Sequence, residues 1–303
     1  MLMFTKQLIN LLLGMAFLTL AFSLAGCQSS ASGSTAATPA PAGAYIQNKG
    51  SDTIVNLALA WAERYQQEHP EVRISVTGGG SGTGIASLIN GTVDIANASR
   101  QITGQEIKEA QGRGIDPVEH VIARDAIAVL VNPGNPISKL TLEQVSRIFR
   151  GDVNNWKDLG GEDRPIVRVS RETNSGTHVY FLESVIRLGE KNNKDIFAAD
   201  TLLLPSSEGI ISEVGDNPNA IGYDGLGYVT SQVKVIAVSK KGETNFILPS
   251  ADTVNVGTYP VSRDLYMYTP KKYSAAVQAY LDWILSPEAQ KIVVDLGFVP
   301  VKK

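Results

Sequence analysis

Between residues 77 and 84 the chain reads Thr-Gly-Gly-Gly-Ser-Gly-Thr-Gly, after a stretch of strand character (72–76) and before a short apolar run of helix character (85–89). A strand that breaks into glycines and resumes as a helix fixes a narrow set of backbone paths. Glycine takes φ > 0 at little steric cost and lets backbone N–H groups approach a ligand closely. The first N–H groups of the next helix lack intrahelical partners, and the helix dipole makes that end attractive to anions. Ser81 and Thr83 add hydroxyls that can donate to the same oxygens. The segment reads as a small-anion loop, or else as a plain Gly/Ser turn. It is not a nucleotide P-loop, since Ile85 stands where the lysine belongs, and it lacks the G-x-G-x-x-G spacing.

The strand–loop–helix unit recurs along the chain. A strand at 44–49 ends in Gly50-Ser51-Asp52-Thr53. The helix after it runs to about Glu68, with Ile54, Leu57, Ala58, Trp61 and Tyr65 on one face and Pro70 beyond its end. The helix of the glycine loop ends near Asn90, closed by Gly91. A strand at 94–98 ends in Ser99-Arg100, a polar helix covers 103–112, and a fully apolar strand spans 126–131. The pattern then restarts. Thr141 caps a helix to Phe149, Trp156 and Leu159 pack a loop, and a strand at 167–170 enters Arg171-Glu-Thr-Asn-Ser-Gly-Thr177. A helix follows to Leu188. Ser206 or Ser207 caps another to Val214; strands are expected at 220–223, 233–238 and 265–268. The end is helical, with Ser286-Pro287-Glu288 opening the last helix.

Such alternation gives an α/β fold, in which ligands bind beyond the carboxyl ends of the strands. Four loops share one character: 50–53, 78–84, Ser99-Arg100 and 171–177. All offer hydroxyls and backbone N–H groups, and two carry an arginine.

At 43% hydrophobic residues, 303 residues suffice for about two domains with their own cores. The net charge is −3, and Lys6 is the one charged residue among the first 26, so the rest carries about −4. That argues against nucleic acid as a partner; a small anion needs only a local positive site. Residues 1–26 read as a secretory signal segment ending in Leu24-Ala25-Gly26-Cys27. The alternative is an uncleaved anchor with an incidental cysteine. Cys27 is the only cysteine, so no intrachain disulfide exists. Residues 28–44, uncharged and rich in Ser, Ala, Thr, Pro and Gly, read as a tether.

These motifs resemble those of the substrate-binding lipoproteins of bacterial phosphate ABC importers, from about Tyr45 onward. The residues that carry the likeness are Gly-Ser-Asp-Thr at 50–53, Gly-Gly-Gly-Ser-Gly-Thr-Gly at 78–84, Val-Asp-Ile-Ala-Asn-Ala-Ser-Arg at 93–100, Ser-Arg-Glu-Thr-Asn-Ser-Gly-Thr at 170–177 and Ala-Ile-Gly-Tyr at 220–223. The resemblance implies a periplasmic binding protein fold of type II-like architecture, with two hinged lobes closing on one phosphate. Lobe one would comprise 45–125 and 240–303, and lobe two 126–239. By motif, the phosphate contacts fall on Ser51, Asp52, Thr53, Gly80, Ser81, Ser99, Arg100, Arg171, Ser175, Gly176 and Thr177. Leu24-Ala25-Gly26-Cys27 looks like a lipobox, which would make Cys27 the lipidated first residue of the mature protein. The implied partners are inorganic phosphate, the permease subunits of an ABC importer and the membrane reached through the lipid, with the protein itself monomeric and without cofactor or metal.

One position departs from the pattern. Where many members place an aspartate that accepts the proton of hydrogen phosphate, this chain has Ser99. Asp52 is the candidate replacement, its other reading being a first-turn acid. Arg100 is either a ligand contact or half of a salt bridge at the cleft rim. Tyr223 and Tyr228 read as hinge or core aromatics. A hydrolase built on Ser175 and His178 is disfavoured, because no Gly-x-Ser-x-Gly elbow surrounds Ser175 and a helix-start serine is usually a cap. The three histidines, His69, His120 and His178, lack metal-ligand spacing. An anion receptor of other specificity, a sensor and a secreted phosphatase-like enzyme or adhesin remain as alternatives.

Overall fold

The computed structural model describes residues 43–301; the leader, Cys27 and the tether as far as residue 42 lie outside them. The order of elements is β1 (Tyr45–Gly50), α1 (Asp52–Glu68), β2 (Arg73–Thr77), α2 (Ser81–Ile89), β3 (Ile95–Ala98), α3 (Gly104–Gly112), β4 (Pro117–Val131), β5 (Lys139–Thr141) and α4 (Leu142–Arg150). There follow β6 (Val167–Arg171), α5 (Gly176–Phe181), β7 (Leu202–Leu204), α6 (Ser207–Asp216), β8 (Ala220–Gly225), β9 (Lys234–Ser239), α7 (Ala251–Asn255), β10 (Ser262–Pro270), α8 (Ala275–Ile284) and α9 (Pro287–Asp295).

The strands form one sheet in the order β2-β1-β3-β10-β4-β8-β6-β7, with β9 beside β4 and β5 beside β9. β1 runs parallel to β2 and β3, and β6 parallel to β7 and β8. Parallel strands deliver their following loops to the same edge. The loops after β1, β2 and β3 therefore gather on one side, and those after β6 and β7 on another. β4 and β10 lie antiparallel between these groups.

Alternation along β4 divides the core. Ile127, Val129 and Val131 join Phe149, Trp156 and Phe181, whereas Ala128 and Leu130 face the cluster of Ile54, Trp61 and Val214. This is the two-residue period of a strand buried on both faces. Trp61 adds a hydrogen bond from Nε1 to the Ala289 carbonyl, 2.8 Å, which fixes α1 against α9. Local signals set the helix ends. Capping boxes at Thr103 with Glu106 and at Thr141 with Gln144 open α3 and α4, and Gly151 closes α4 with φ 83°.

The sequence reading has no counterpart to β5, β7 or α7, and the structure departs from it further in three places. β4 begins at Pro117, well before the apolar 126–131 stretch. Glu119, His120 and Asp125 obscure the pattern, and each meets a side chain of β10: Tyr268, Thr269 and Arg263. The helix expected to reach Leu188 is α-helical only to Phe181 and continues as a π-turn, Leu182–Ile186. There Ser146 Oγ donates to the Ile186 carbonyl at 2.7 Å. Finally, part of 240–261, which the sequence sets with lobe one, packs against the start of the 126–239 stretch. Val254, Tyr259 and Val261 sit in the cluster of Phe149 and Phe181, and Tyr259 Oη donates to the Ile127 carbonyl at 2.7 Å.

Candidate functional site

Three helix starts meet where the two groups of loops face each other. Ser51 precedes α1, but its Oγ lies on Ser99 Oγ, 3.0 Å, and does not cap the helix. Gly80 precedes α2 with φ 89° and has no side chain to cap with. The opening turns of α1 and α2 thus carry no side-chain cap, which leaves N–H groups and positive dipole ends directed at the site. Ser175 precedes α5 and does cap, accepting from the Thr177 N–H at 3.2 Å.

Steric fit explains the glycines. A Cβ at Gly78 would lie 2.4 Å from Asp52 Oδ1, and one at Gly84 2.5 Å from the Lys49 carbonyl. A Cβ at Gly80 would meet the Asn174 carbonyl at 2.9 Å. That residue comes from the facing loop. Its carbonyl accepts the Gly82 N–H at 3.0 Å, and its Nδ2 donates to the Gly79 carbonyl at 3.0 Å.

The hydroxyls form a buried cluster. Ser81 Oγ accepts the Ser99 N–H, 3.0 Å, and lies 3.2 Å from Ser99 Oγ. Thr53 Oγ1 lies 2.7 Å from Thr177 Oγ1, one from each side of the site. Ser51, Thr53, Ser81, Ser99, Ser175 and Thr177 are all buried, as is Gly176.

Arg171 is the cation of the second side. Its guanidinium donates to Asp52 Oδ2 at 2.8 Å, to Ser207 Oγ at 2.8 Å and to the Pro205 carbonyl at 2.8 Å. Asp224 stands 3.8 Å away, and Arg171 Nε has no partner among the described residues. Asp52 therefore bridges the sides, because its other oxygen takes the Gly79 N–H at 2.8 Å. The Arg100 guanidinium lies on Glu106 at 2.7 and 2.8 Å, a salt bridge of the kind that the sequence offered beside a ligand contact. His178 does not face Ser175. Its Nδ1 lies against the Arg171 carbonyl and Ser170 Oγ, and burial holds the imidazole below its ordinary pKa. Tyr223 is buried beneath Ser170, and Tyr228 Oη donates to the Asp52 carbonyl at 2.7 Å.

Sequence reading did not pick out Arg263, Asp125 or Asp224, and it saw Ser207 only as a cap. Ser206 takes that role, which leaves Ser207 to accept from Arg171 and donate to Asp224. Burial pushes the Asp224 carboxyl up to about 6, with Arg171 pulling it the other way. Asp125 is likewise raised by burial and held back by Arg263. A carboxyl whose folded pKa lies above its unfolded value near 3.8 takes up its proton earlier in the folded state. Its stabilising effect is thus complete below pH 3.8 and lost as pH rises through about 6. A tenfold difference in proton affinity between the folded and unfolded states is worth about 1.4 kcal/mol. The unfolding free energy of the wild type minus that of Asp224→Asn should accordingly grow by about 1–3 kcal/mol between about pH 7.5 and 4.5. Urea titrations of both proteins at the two pH values check this, and a constant difference would refute it.

Uncapped helix starts, hydroxyls and an arginine facing each other across strand ends define an α/β solute-binding protein with an anion-type site. Comparison with known proteins agrees. Residues 35–288 match the PBP superfamily domain. The phosphate-binding protein PstS of Pseudomonas aeruginosa PAO1 is 34% identical over 273 residues, spanning 84% of this chain and 83% of that protein. PstS of Bacillus subtilis is 31% identical over 302 residues, spanning 98% and 94%. A Clostridium perfringens substrate-binding protein, assigned to a phosphate ABC transporter and solved with bound phosphate, superposes with a TM-score of 0.76 at 33% identity, covering 85% of this chain and 100% of that one. An ABC-type phosphate transport receptor from Vibrio cholerae gives 0.68 at 31% identity, covering 84% and 100%. The chain belongs to the PBP superfamily and, within it, to the family of the PstS phosphate-binding proteins, with the mixed α/β fold of periplasmic binding proteins.

Proposed function

We propose that the chain captures inorganic phosphate among these loops and hands it to the permease of an ABC importer. The observation that carries this is the convergence of two uncapped helix starts with a buried arginine on polarised hydroxyls, in a chain whose 31–34% identical relatives are phosphate-binding proteins. Stripping a dianion of water costs several kcal/mol or more unless it is paired. Charge-assisted bonds from Arg171, N–H groups from the helix starts and hydroxyls from both sides offset that cost. Ser51, Thr53, Gly80 and Ser81 serve from the first side with Ser99; Arg171, Ser175, Gly176 and Thr177 serve from the second. No bond is made or broken in the site.

In this reading residues 45–125 and 262–301 form lobe one, and 126–261 lobe two, following the packing of Val254, Tyr259 and Val261. β4 and β10 cross between them as the hinge. The protein works outside the cytoplasm, as a monomer tethered through a lipid on Cys27. Among the described residues no helix is long and apolar enough to cross a membrane.

Asp52 accepts the proton of hydrogen phosphate. Each carboxylate oxygen has two acceptor sites, so Asp52 retains capacity beyond its bonds to Gly79 and Arg171. Calorimetric titration of anion-stripped protein should show one-site phosphate binding and weak or no sulfate binding. Asp52→Asn should lower the phosphate-to-sulfate affinity ratio at least tenfold, because a site that accepts the phosphate proton discriminates strongly against a ligand without it. Equal losses for the two anions would reduce Asp52 to a bridge between the lobes. Binding of neither anion to the folded wild type would remove the phosphate reading.

A further inference from the structure

We propose that Arg263 is a positioning residue for the anion site, acting through Thr177 and Ser99 without touching the ligand. The inference rests on the phosphate reading above and adds a residue outside every loop motif. Arg263 is the second residue of β10 and lies directly opposite Asp125 of β4, at the level where β4 leaves β10 for β8. Its side chain is 3% exposed. Nη1 donates to the Ser99 carbonyl at 2.8 Å, and Nη2 donates to Asp125 Oδ2 at 3.0 Å and to Thr177 Oγ1 at 2.9 Å. The guanidinium carbon also lies 5.5 Å from the centre of the Tyr180 ring. Asp125 is itself fixed, since its Oδ1 takes the Leu226 N–H at 3.2 Å.

The chemistry follows from donor and acceptor roles. A guanidinium only donates. Thr177 Oγ1 must therefore accept from Arg263, and its own proton points away from β10, towards Thr53 Oγ1 at 2.7 Å or a ligand oxygen. Accepting a charge-assisted bond also polarises the Thr177 O–H and makes it a stronger donor. The charge of Arg263 is thus passed to the anion through a hydroxyl, while Asp125 keeps the buried guanidinium neutralised. By holding the Ser99 carbonyl with its other nitrogen, the same fork ties the first side of the site to the second. A planar fork with fixed N–H directions suits this task, and a lysine ammonium does not.

The test is a mutant cycle read by phosphate calorimetry on the full chain. Asp125→Asn with Arg263→Gln removes both charges together, so no buried ion is left unpaired. Thr177→Val removes the hydroxyl and leaves the ion pair in place. Each change should weaken phosphate binding at least tenfold, and Thr177→Val added to the charge-free pair should cost less than a further twofold. A residue that merely supports the fold would give independent penalties that multiply to about a hundredfold, and that result overturns the proposal. So does a loss under twofold for Thr177→Val alone. Arg263→Lys supplies a second background for the same cycle, with the same expected loss of coupling, should the charge-free pair fail to fold. A wild type that binds no phosphate removes this inference along with the function; wild-type binding with multiplying penalties removes only the inference.

Discussion

Arg171→Ala should weaken phosphate binding at least a hundredfold, to the edge of detection by calorimetry. Arg171 is 1% exposed and flanked by two carboxylates, Asp52 at 2.8 Å and Asp224 at 3.8 Å. With it, two buried arginines stand against Asp52, Asp125 and Asp224; without it, Arg263 stands alone. A dianion entering that site would meet repulsion instead of a charge-assisted donor. Loss of one such bond is worth about 1.5–3 kcal/mol, and a hundredfold corresponds to about 2.8 kcal/mol. Truncation also leaves Asp52 and Asp224 without their cation, and breaking a buried pair from one side costs about 3–5 kcal/mol of stability. Affinity must therefore be measured where circular dichroism shows the variant folded. Arg171→Lys separates the causes, since it restores charge without the fork that spans Asp52, Ser207 and the Pro205 carbonyl. Its affinity should fall between those of the wild type and the alanine variant. If Arg171→Ala loses less than tenfold, Arg171 braces the second lobe and does not bind the anion.

How legible this was in the sequence depended on whether a residue's role is set by its neighbours in the chain. The α1 face of Ile54, Leu57, Ala58, Trp61 and Tyr65 was readable because its period of 3.6 is local, and all five are buried. The turn glycines and helix caps, such as Gly91 with φ 66° and Ser286 before Pro287, were readable for the same reason. Arg263 and Asp125 were not. In the sequence each is a charged residue at the margin of an apolar strand, a pattern that suggests a solvated edge. They are buried only because β10 and β4 pair from 138 positions apart. Asp224 was hidden likewise: it follows the Ala-Ile-Gly-Tyr motif, and its partner Ser207 lies 17 positions earlier on another element. For Arg100 the sequence offered two partners, ligand or carboxylate. In the structure Glu106, which completes the Thr103 capping box, lies within reach of the guanidinium.

Gly176→Ala should cost binding on a similar scale, because the start of α5 packs directly against α2 across the site. Gly176 is the first residue of α5 and has ordinary helical geometry, so alanine meets no backbone strain there. Across the site the position is crowded. A Cβ would stand 2.4 Å from Ser81 Oγ, 2.7 Å from Ser99 Oγ and 3.0 Å from Ser81 Cβ. The hydroxyls could rotate aside, but rotation takes them from the orientation in which Ser81 accepts the Ser99 N–H. Ser81 Cβ cannot rotate away, so α5 must back off from α2 by several tenths of an ångström. The contacts that join the sides at short range, Thr53 to Thr177 at 2.7 Å and Asn174 to Gly82 at 3.0 Å, would stretch with it. An anion held from both sides at once loses part of its donor set in that geometry, and a fiftyfold or greater loss of phosphate affinity is expected together with a lowered midpoint of thermal unfolding, since overpacking a buried contact typically costs about 1–3 kcal/mol. Calorimetry and a thermal melt on one preparation measure both. Unchanged affinity would mean that the start of α5 does not close against Ser81 when phosphate is bound, and Ser175, Gly176 and Thr177 would then no longer count as phosphate contacts.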